Sequence, residues 1–447
     1  MTPVELALAV EDGTIDTVVV GFADHYGRLV GKRFDASFFV EQGLTEGTHA
    51  CDYLLTVDMD MEPVEGYAFA NWGGGYGDMH LVPDARTLRP AAWADRTAII
   101  LCDVEANADH QPVPVAPRSI LRHHVQRLND AGMSAAAASE LEFFLYRDTY
   151  RDAHAKNYRH IESAGWYVED YHLLQGARVE DYVGAARRAL SASEIPVENS
   201  KGEAAIGQHE LNIRYAEVLD MADRHVIMKQ GMKELADKMG ASVSFMAKPS
   251  AEQPGSSCHL HVSLWQGDTN AFVDGAGEPT DTFRWFLGGW MTHTPDLMPC
   301  YAPTINSYKR YQNQSWAPTR IAWSTDNRTT SFRIVGSGQS RRIECRLPGA
   351  DANPYLAFAA AIVSGLDGIE NQIEPPDELV GDAYTSASPE IATTLAAATE
   401  KFASSAHARR LLGDEVVDHY THHWRSEVAA YNRAVTNWEH ERYFEQI

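Results

Sequence analysis

Residues 139–146 read SELEFFLY, and how they are read decides the fold. Side chains at i and i+2 of a β-strand share a face. Glu140 and Glu142 therefore stand side by side, while Leu141, Phe143 and Leu145 bury the opposite face. The alternation returns twice. In CHLHVSL, His259, His261 and Ser263 share one face and Leu260, Val262 and Leu264 the other; in RRIECRL, Arg342, Glu344 and Arg346 oppose Ile343, Cys345 and Leu347. Any one of these strands reads most plainly as part of a sheet with a solvated face. Solvated faces usually draw Lys, Thr and Ser, whereas these hold Glu, His and Arg, the residues of metal and phosphate chemistry.

A fourth stretch, VENSKGEAAIGQHELNIRY (197–215), adds Glu198, Glu203 and Glu210, with Gly202 and Gly207 suited to a loop before a strand-like run. Glu140, Glu142, Glu203, Glu210 and Glu344 are then five carboxylates, joined by His259. Acids clustered in a low-dielectric site are stable only if cations neutralise them. An oxygen-rich set with one imidazole favours Mg²⁺ or Mn²⁺ over Zn²⁺, and paired hard cations point to phosphate chemistry. Residues 306–346 supply the anion-binding side: Arg310, Arg328, Arg333, Arg341, Arg342 and Arg346. Arginine grips carboxylates and phosphates bidentately; Arg341 alone reads as a surface ion-pair partner. No P-loop is present, so ATP would be held by metals and arginines.

The rest of the chain narrows the class. Its 447 residues carry a net charge of −24 and no Lys/Arg-rich tract, which argues against nucleic acid and anionic membranes as partners. The start, MTPVELALAVEDG, lacks the basic and apolar regions of a signal peptide. Five cysteines without a CxxC pair suggest reduced thiols and a cytoplasmic location. The apolar run PYLAFAAAIVSGL (354–366) is too short to span a bilayer and reads as a buried helix after Asn353-Pro354.

The pattern along the chain predicts an α+β protein. A helix is expected at 3–10, then a hairpin turning near Asp24–Gly27, and a strand in TAIILCDVEA. DHQPVPVAPRS (109–119), with three prolines in six residues, reads as a linker. Helices follow from Pro117 to Gly132, in DYVGAARRALSAS and in DMADRHVIMKQGMKELADKMG; SVSFMAKP reads as a strand, and the last residues from Asp414 as helix. The division expected is a small β-rich unit at 1–110 and a large α+β unit at 111–447.

Taken in order, SELEF, EAAIGQHE, GSSCHLHVSL, NSYKR, DNR and RRIECRLPGADANPYLAFAA resemble the glutamine synthetase family over nearly the whole chain. The likeness is to its bacterial type-I branch, and within that to the γ-glutamyl-amine ligases. The resemblance implies an N-terminal β-grasp domain, and a catalytic domain whose curved antiparallel sheet forms an active-site funnel. It implies a dodecamer of two stacked hexamers, with each site shared between the N-terminal domain of one subunit and the catalytic domain of its neighbour. Carried over by position, Glu142, Glu203 and Glu210 hold one metal, and Glu140, His259 and Glu344 a second, as Mg²⁺ or Mn²⁺. Glu198, His261, Ser263 and Arg342 contact ATP. Arg328 and Arg342 hold the transferred phosphate, while Gly255, Arg310 and Arg346 hold glutamate. On that reading the two acids of SELEF serve two different metals.

The departures matter equally. Where the glutamine-forming enzymes carry a glutamate before Ala-Pro, the loop YQNQSWAPTR carries Trp316, and no acid occurs between Tyr311 and Thr325. Tryptophan takes no proton but offers an apolar wall and a π-face to an alkylammonium. The ammonia-binding DGSS motif is also missing; VEGYAFANWGGGYGD stands there, with Glu65 in reach of the aspartate position. Trp316, Glu65 and Tyr171 are the candidates for an amine pocket. Pro254 and Gln339 replace a usual asparagine and lysine, and Tyr384 lies near the adenylylation tyrosine but outside that site's sequence context. The expected activity is ATP-dependent joining of the glutamate γ-carboxylate to a primary organic amine through γ-glutamyl phosphate. Polyamines, ethanolamine, alkylamines and arylamines all stay open. Glutamine synthesis proper is the alternative, and a non-catalytic scaffold is disfavoured by the six retained ligands.

Overall fold

Thr2 starts the first helix, Pro3–Glu11, through a capping box: its hydroxyl accepts from Glu5 N (3.2 Å) and its own N–H donates to Glu5 Oε2 (2.6 Å). The computed structural model describes residues 1–447. Thr17–Ala23 and Leu29–Asp35 form the expected hairpin. Its turn is closed by the Asp24 carboxylate, which accepts from the N–H groups of Tyr26 and Arg28, and by Gly27 at φ +80°. Thr17–Ala23 then pairs in parallel with Thr97–Ala106, which continues antiparallel to Asp78–Pro83 and on to Thr48–Cys51. A hairpin flanked by a later parallel strand agrees with the β-grasp order. Val18, Val20, Phe22, Leu81, Ile100 and Val104 fill the core behind this sheet.

A second, ten-stranded sheet carries the catalytic motifs. Its path runs Trp323–Thr325, Phe332–Val335, Arg342–Cys345, Cys258–Gln266, Ser134–Tyr146, Gln208–Ile213 and Val197–Gly202. All these neighbours are antiparallel except the first pair. Helices Pro117–Asp130, Val218–Lys238 and Pro354–Asn371 cover its apolar side. Pro354–Asn371 starts at the expected proline and is buried along nearly its whole length. It crosses Asp281–His293 where two glycines meet: a Cβ on Gly289 would lie 2.5 Å from Gly368 Cα. No helix is long and apolar enough to cross a membrane. The chain is α+β.

Several expectations need correction. The proline-rich stretch 109–119 is not a free linker. Val113, Val115 and Ala116 are buried in the first core, and Pro112 bridges to Glu105. The prolines fix a packed crossing, because their set φ leaves little backbone entropy to lose. Residues 197–202, not assigned from the sequence, form a strand that pairs with Gln208–Ile213, and the loop suited to Gly202 and Gly207 lies between the two. In SVSFMAKP only Ser242–Ser244 is strand. The C-terminal helix breaks at Ala434 into Asp414–Arg433 and Asn437–Tyr443. Arg341 has no acidic partner; its guanidinium lies over the Phe283 ring at 5.7 Å.

The two sheets are joined by one buried cation. Arg118 pairs bidentately with Asp223 (2.9 and 2.8 Å), reaches Asp84 (2.8 Å) and also binds Asp103. Asp84 and Asp103 belong to the N-terminal sheet region, whereas Asp223 lies on a helix of the larger unit and accepts from Tyr355 Oη (2.6 Å). Removing one member of a buried ion cluster strands the others. Arg118→Met is therefore expected to cost about 3–5 kcal/mol, read as a lower urea midpoint. An unchanged midpoint would remove this joint from the account.

Candidate active site

Strand register gathers the acids that are scattered in sequence. Glu140 of Ser134–Tyr146 lies opposite His259 on one side, and Glu142 opposite Glu210 on the other. Glu344 lies opposite both His261 and Arg333. Because paired residues point to the same face, five of the six candidate ligands meet on one side of the sheet. Glu203 joins them from the connection between Val197–Gly202 and Gln208–Ile213. The outcome is two triads, Glu142–Glu203–Glu210 and Glu140–His259–Glu344, each with ligating atoms within 4.8 Å of one another. They coincide with the two sets that the family resemblance implies.

The triads differ electrically. Burial pushes the Glu142 carboxyl up to about 8, helped by the charge of Glu203. Burial, then the charge of Glu140, pushes Glu210 up to about 10. In the other triad burial also opposes ionisation, yet hydrogen bonding to His259 and His261 holds Glu140 well below the ordinary carboxylate range. Burial of Glu344 is outweighed by His259, His261 and Arg346, which bring it down to about 2. Its oxygens accept from Arg333 Nη1 (2.9 Å) and Arg346 Nη1 (2.7 Å). Glu142 accepts from Ser257 N (2.7 Å), Ser257 Oγ (2.6 Å) and Gln208 Nε2 (3.0 Å). An all-carboxylate set and a two-carboxylate, one-imidazole set fit hard divalent cations.

Lys201 was missed by the sequence reading; strand register sets it opposite Glu210. Its ammonium pairs with Glu203, lies 3.7 Å from Glu210 Oε2 and sits 4.6 Å over the Tyr171 ring. A tethered cation thus stands beside the all-carboxylate triad. A dication about 6 Å from an ammonium is opposed by about 1.4 kcal/mol even at water's dielectric. Lys201→Gln should therefore tighten Mn²⁺ binding about tenfold by calorimetry; equal affinity in both proteins would show that the lysine yields without cost.

Both triads open onto one cavity of about 400 Å³, which Gly255, Arg310, Arg328, Arg346, Trp316 and Tyr171 also line. An adjoining cavity of about 600 Å³ shares Glu140 and is lined by Glu198, His261, Ser263 and Arg342, the four residues expected at ATP. Arg342 Nε donates to His261 Nδ1 (3.2 Å), which leaves the His261 proton on Nε2, facing Glu140 Oε2 at 3.2 Å. Arg328 is exposed to the cavity and pairs with no acid. Arg346 keeps a buried Nε without a partner. Arg310 behaves otherwise: its guanidinium nitrogens donate to the carbonyls of Arg346, Leu347 and Pro348 (2.9–3.1 Å). It braces the cavity floor in this state and has less to offer a substrate than expected.

Trp316 and Tyr171 share a feature no sequence pattern reveals. Both have left-handed backbones, φ +67° and +60°, which cost a side-chain-bearing residue about 1–2 kcal/mol. Strain of this kind clusters at functional sites. The Trp316 loop is braced by Tyr384, whose buried hydroxyl donates to Ala317 O (3.0 Å). Pro254 lines the smaller cavity and Gln339 the larger one, where its side-chain oxygen accepts from Asn270 N (2.8 Å). Asp170, a carboxylate of the smaller cavity, was also missed. Glu65 lies outside the cavity of its own chain; its carbonyl accepts from His422 Nε2 (2.7 Å).

Comparison with known proteins agrees with this geometry. The family "Glutamine synthetase, catalytic domain" matches residues 114–443. Gamma-glutamylethanolamide synthetase of Streptomyces coelicolor is 46% identical over 444 residues, covering 99% of this chain and 96% of its own. Glutamate–isopropylamine ligase of a Pseudomonas species is 37% identical, covering 98% and 97%. The solved structure of GmaS without ligand superimposes with a TM-score of 0.85 at 28% identity, over 98% of this chain and 99% of that one. The chain belongs to the glutamine synthetase family and is a ligase of that family.

Proposed function

We propose that this ligase joins the γ-carboxylate of L-glutamate to a small primary organic amine, in the ethanolamine or short alkylamine class, in place of ammonia. The observation that carries the reading is the pair of aromatic walls, Trp316 and Tyr171, lining the cavity that both triads open onto. The relatives named for an ethanolamide and for isopropylamine support it.

Glutamate occupies the smaller cavity, its carboxylates met by Arg346 with Gly255 and Arg310 beneath. ATP enters from the larger one against Glu198, His261, Ser263 and Arg342. The glutamate γ-carboxylate oxygen attacks the γ-phosphorus, the bond to the bridging oxygen breaks, and ADP leaves. Arg328 and Arg342 neutralise the charge that develops on the transferring phosphoryl group. When bound, two or more Mg²⁺ or Mn²⁺ ions at Glu142–Glu203–Glu210 and Glu140–His259–Glu344 supply Lewis-acid neutralisation of phosphate oxygens. The amine arrives as an ammonium over the rings of Trp316 and Tyr171 and loses a proton to a carboxylate, for which Asp170 is placed. Its nitrogen then attacks the γ-carbonyl carbon and phosphate leaves.

Residues 1–110 and 111–447 act as two domains, and the active form is a homo-oligomer, a dodecamer of stacked hexamers in the cytoplasm. Trp72, Trp166, Tyr167 and Leu173 are exposed on the single chain, and all five cysteines are free. In such a ring Glu65 serves a neighbour's site. The test is phosphate release with ATP, glutamate and a panel of amines that includes ammonium. Ethanolamine or a short alkylamine should give the highest kcat/KM. Preference for ammonium over every amine would replace the proposal with glutamine synthesis.

A further inference from the structure

We propose that His80, Glu105 and His110 form a transition-metal site of the Zn²⁺ class on the N-terminal sheet, separate from both triads. Across that sheet, register places His49 opposite His80, and His80 opposite Glu105. The neighbours Met79, Leu81 and Val104 bury the inner face, so these three polar side chains share the outer one. His110 comes from the turn just beyond the strand, at φ +57°, where Pro112 bridges back to Glu105. The potential ligand atoms of His80, Glu105 and His110 all lie within 4.8 Å of one another.

The hydrogen bonding fixes what these atoms need. His80 Nε2 lies 2.8 Å from the Glu46 carbonyl, an obligate acceptor, so Nε2 carries the proton. Its Nδ1 is then a bare lone pair. That atom is buried without any hydrogen-bond partner and faces Glu105 Oε2 at 3.8 Å. His110 Nδ1 faces the same oxygen, also at 3.8 Å. These separations exceed hydrogen-bond range. Acceptor atoms converging on one point are stable around a cation. Ligands on a tetrahedral ion with bonds of about 2.0–2.1 Å stand about 3.4 Å apart, which a small closure of this set would reach. A backbone carbonyl behind the distal imidazole nitrogen is the support that metal-bound histidines usually have. Two imidazoles and one carboxylate favour Zn²⁺ or Co²⁺, where the all-oxygen triad favours Mg²⁺ or Mn²⁺. The His49 ring, stacked 5.1 Å from His80, holds the imidazole plane. Water completes the coordination. The ion would pin the turn at 107–111 to the sheet just before Val113 and Val115 pack into the first core.

The intact protein, held in millimolar Mg²⁺ to fill the triads, is titrated with Zn²⁺ by calorimetry and with Co²⁺ by visible absorption. Wild type should bind one more equivalent per chain than the His80→Ala/His110→Ala double variant. The cobalt band typical of tetrahedral nitrogen and oxygen ligands should appear in wild type alone. Glu105→Gln, which preserves shape, should weaken Zn²⁺ at least tenfold, while ligase activity in Mg²⁺ stays within twofold for all variants. Equal zinc stoichiometry in wild type and both variants, or full displacement of zinc by Mg²⁺, would overturn the proposal.

Discussion

Glu344→Gln should lower ATP-dependent ADP formation at least a thousandfold, and removal of divalent cations by EDTA should do the same to the wild type. The residue is 1% exposed and its carboxylate lies within 4.8 Å of the other two potential ligands of its triad. It lies 3.5 Å from His259 Nδ1 and accepts from both Arg333 and Arg346. Glutamine keeps the volume and one acceptor oxygen but no negative charge. A cation placed there loses a ligand, and Arg333 and Arg346 lose the counter-charge that holds them in the cavity wall. Stabilisation of transition-state charge by a bound metal is worth several kilocalories per mole, and about 4 kcal/mol is a thousandfold in rate. Loss of fold would mimic loss of chemistry, so the thermal midpoint and oligomer size are read alongside. A folded Glu344→Gln protein that releases ADP at a near-normal rate would take this triad out of the catalytic assignment.

The faces of the three charged strands were legible in the sequence because a two-residue period leaves no freedom: Glu140 and Glu142 had to share a side. Which strand lay beside which was not legible. That His259 faces Glu140, and Glu142 faces Glu210, is a matter of register, set by long-range pairing between segments some 70 to 120 positions apart. The family resemblance supplied the two triads, and the register accounts for why they assemble. Lys201 reaches the all-carboxylate triad through register as well, opposite Glu210 on the neighbouring strand. Tyr171 and Trp316 offered only side-chain identity; their left-handed backbones depend on loops whose shape the tertiary packing dictates. Likewise nothing local in DHQPVPVAPRS says that Val113 and Val115 find a core, so prolines that looked like a linker turned out to be packed. His80, Glu105 and His110 are separated by 25 and 5 positions and become neighbours only through the pairing of two strands and the turn after them.

Trp316→Ala should raise the KM for an organic amine about tenfold to a hundredfold while leaving those for ATP and glutamate within about threefold. The indole is 60% exposed at the cavity mouth, so it has free surface to offer a ligand. Covering a large apolar side chain is worth about 1–3 kcal/mol, which is the stated range in affinity. The backbone complicates alanine alone, because position 316 is left-handed and Arg346 Nη2 reaches its carbonyl at 3.4 Å. Trp316→Gly removes the ring and relieves the backbone strain together; Trp316→Phe keeps a ring in the same strained frame. If the ring is what the amine feels, alanine and glycine should fail alike and phenylalanine should recover most of the KM. If loop geometry is what matters, glycine should differ from alanine more than phenylalanine does from tryptophan. Trp316→Glu returns a proton acceptor to the loop and removes the wall, so kcat/KM should move towards ammonium. The gain should stay partial, because VEGYAFANWGGGYGD still replaces the other ammonia-binding segment. An alanine variant that loses ATP affinity and keeps its amine KM would place Trp316 at the nucleotide end, and the aromatic-wall account of amine selection would fall with it.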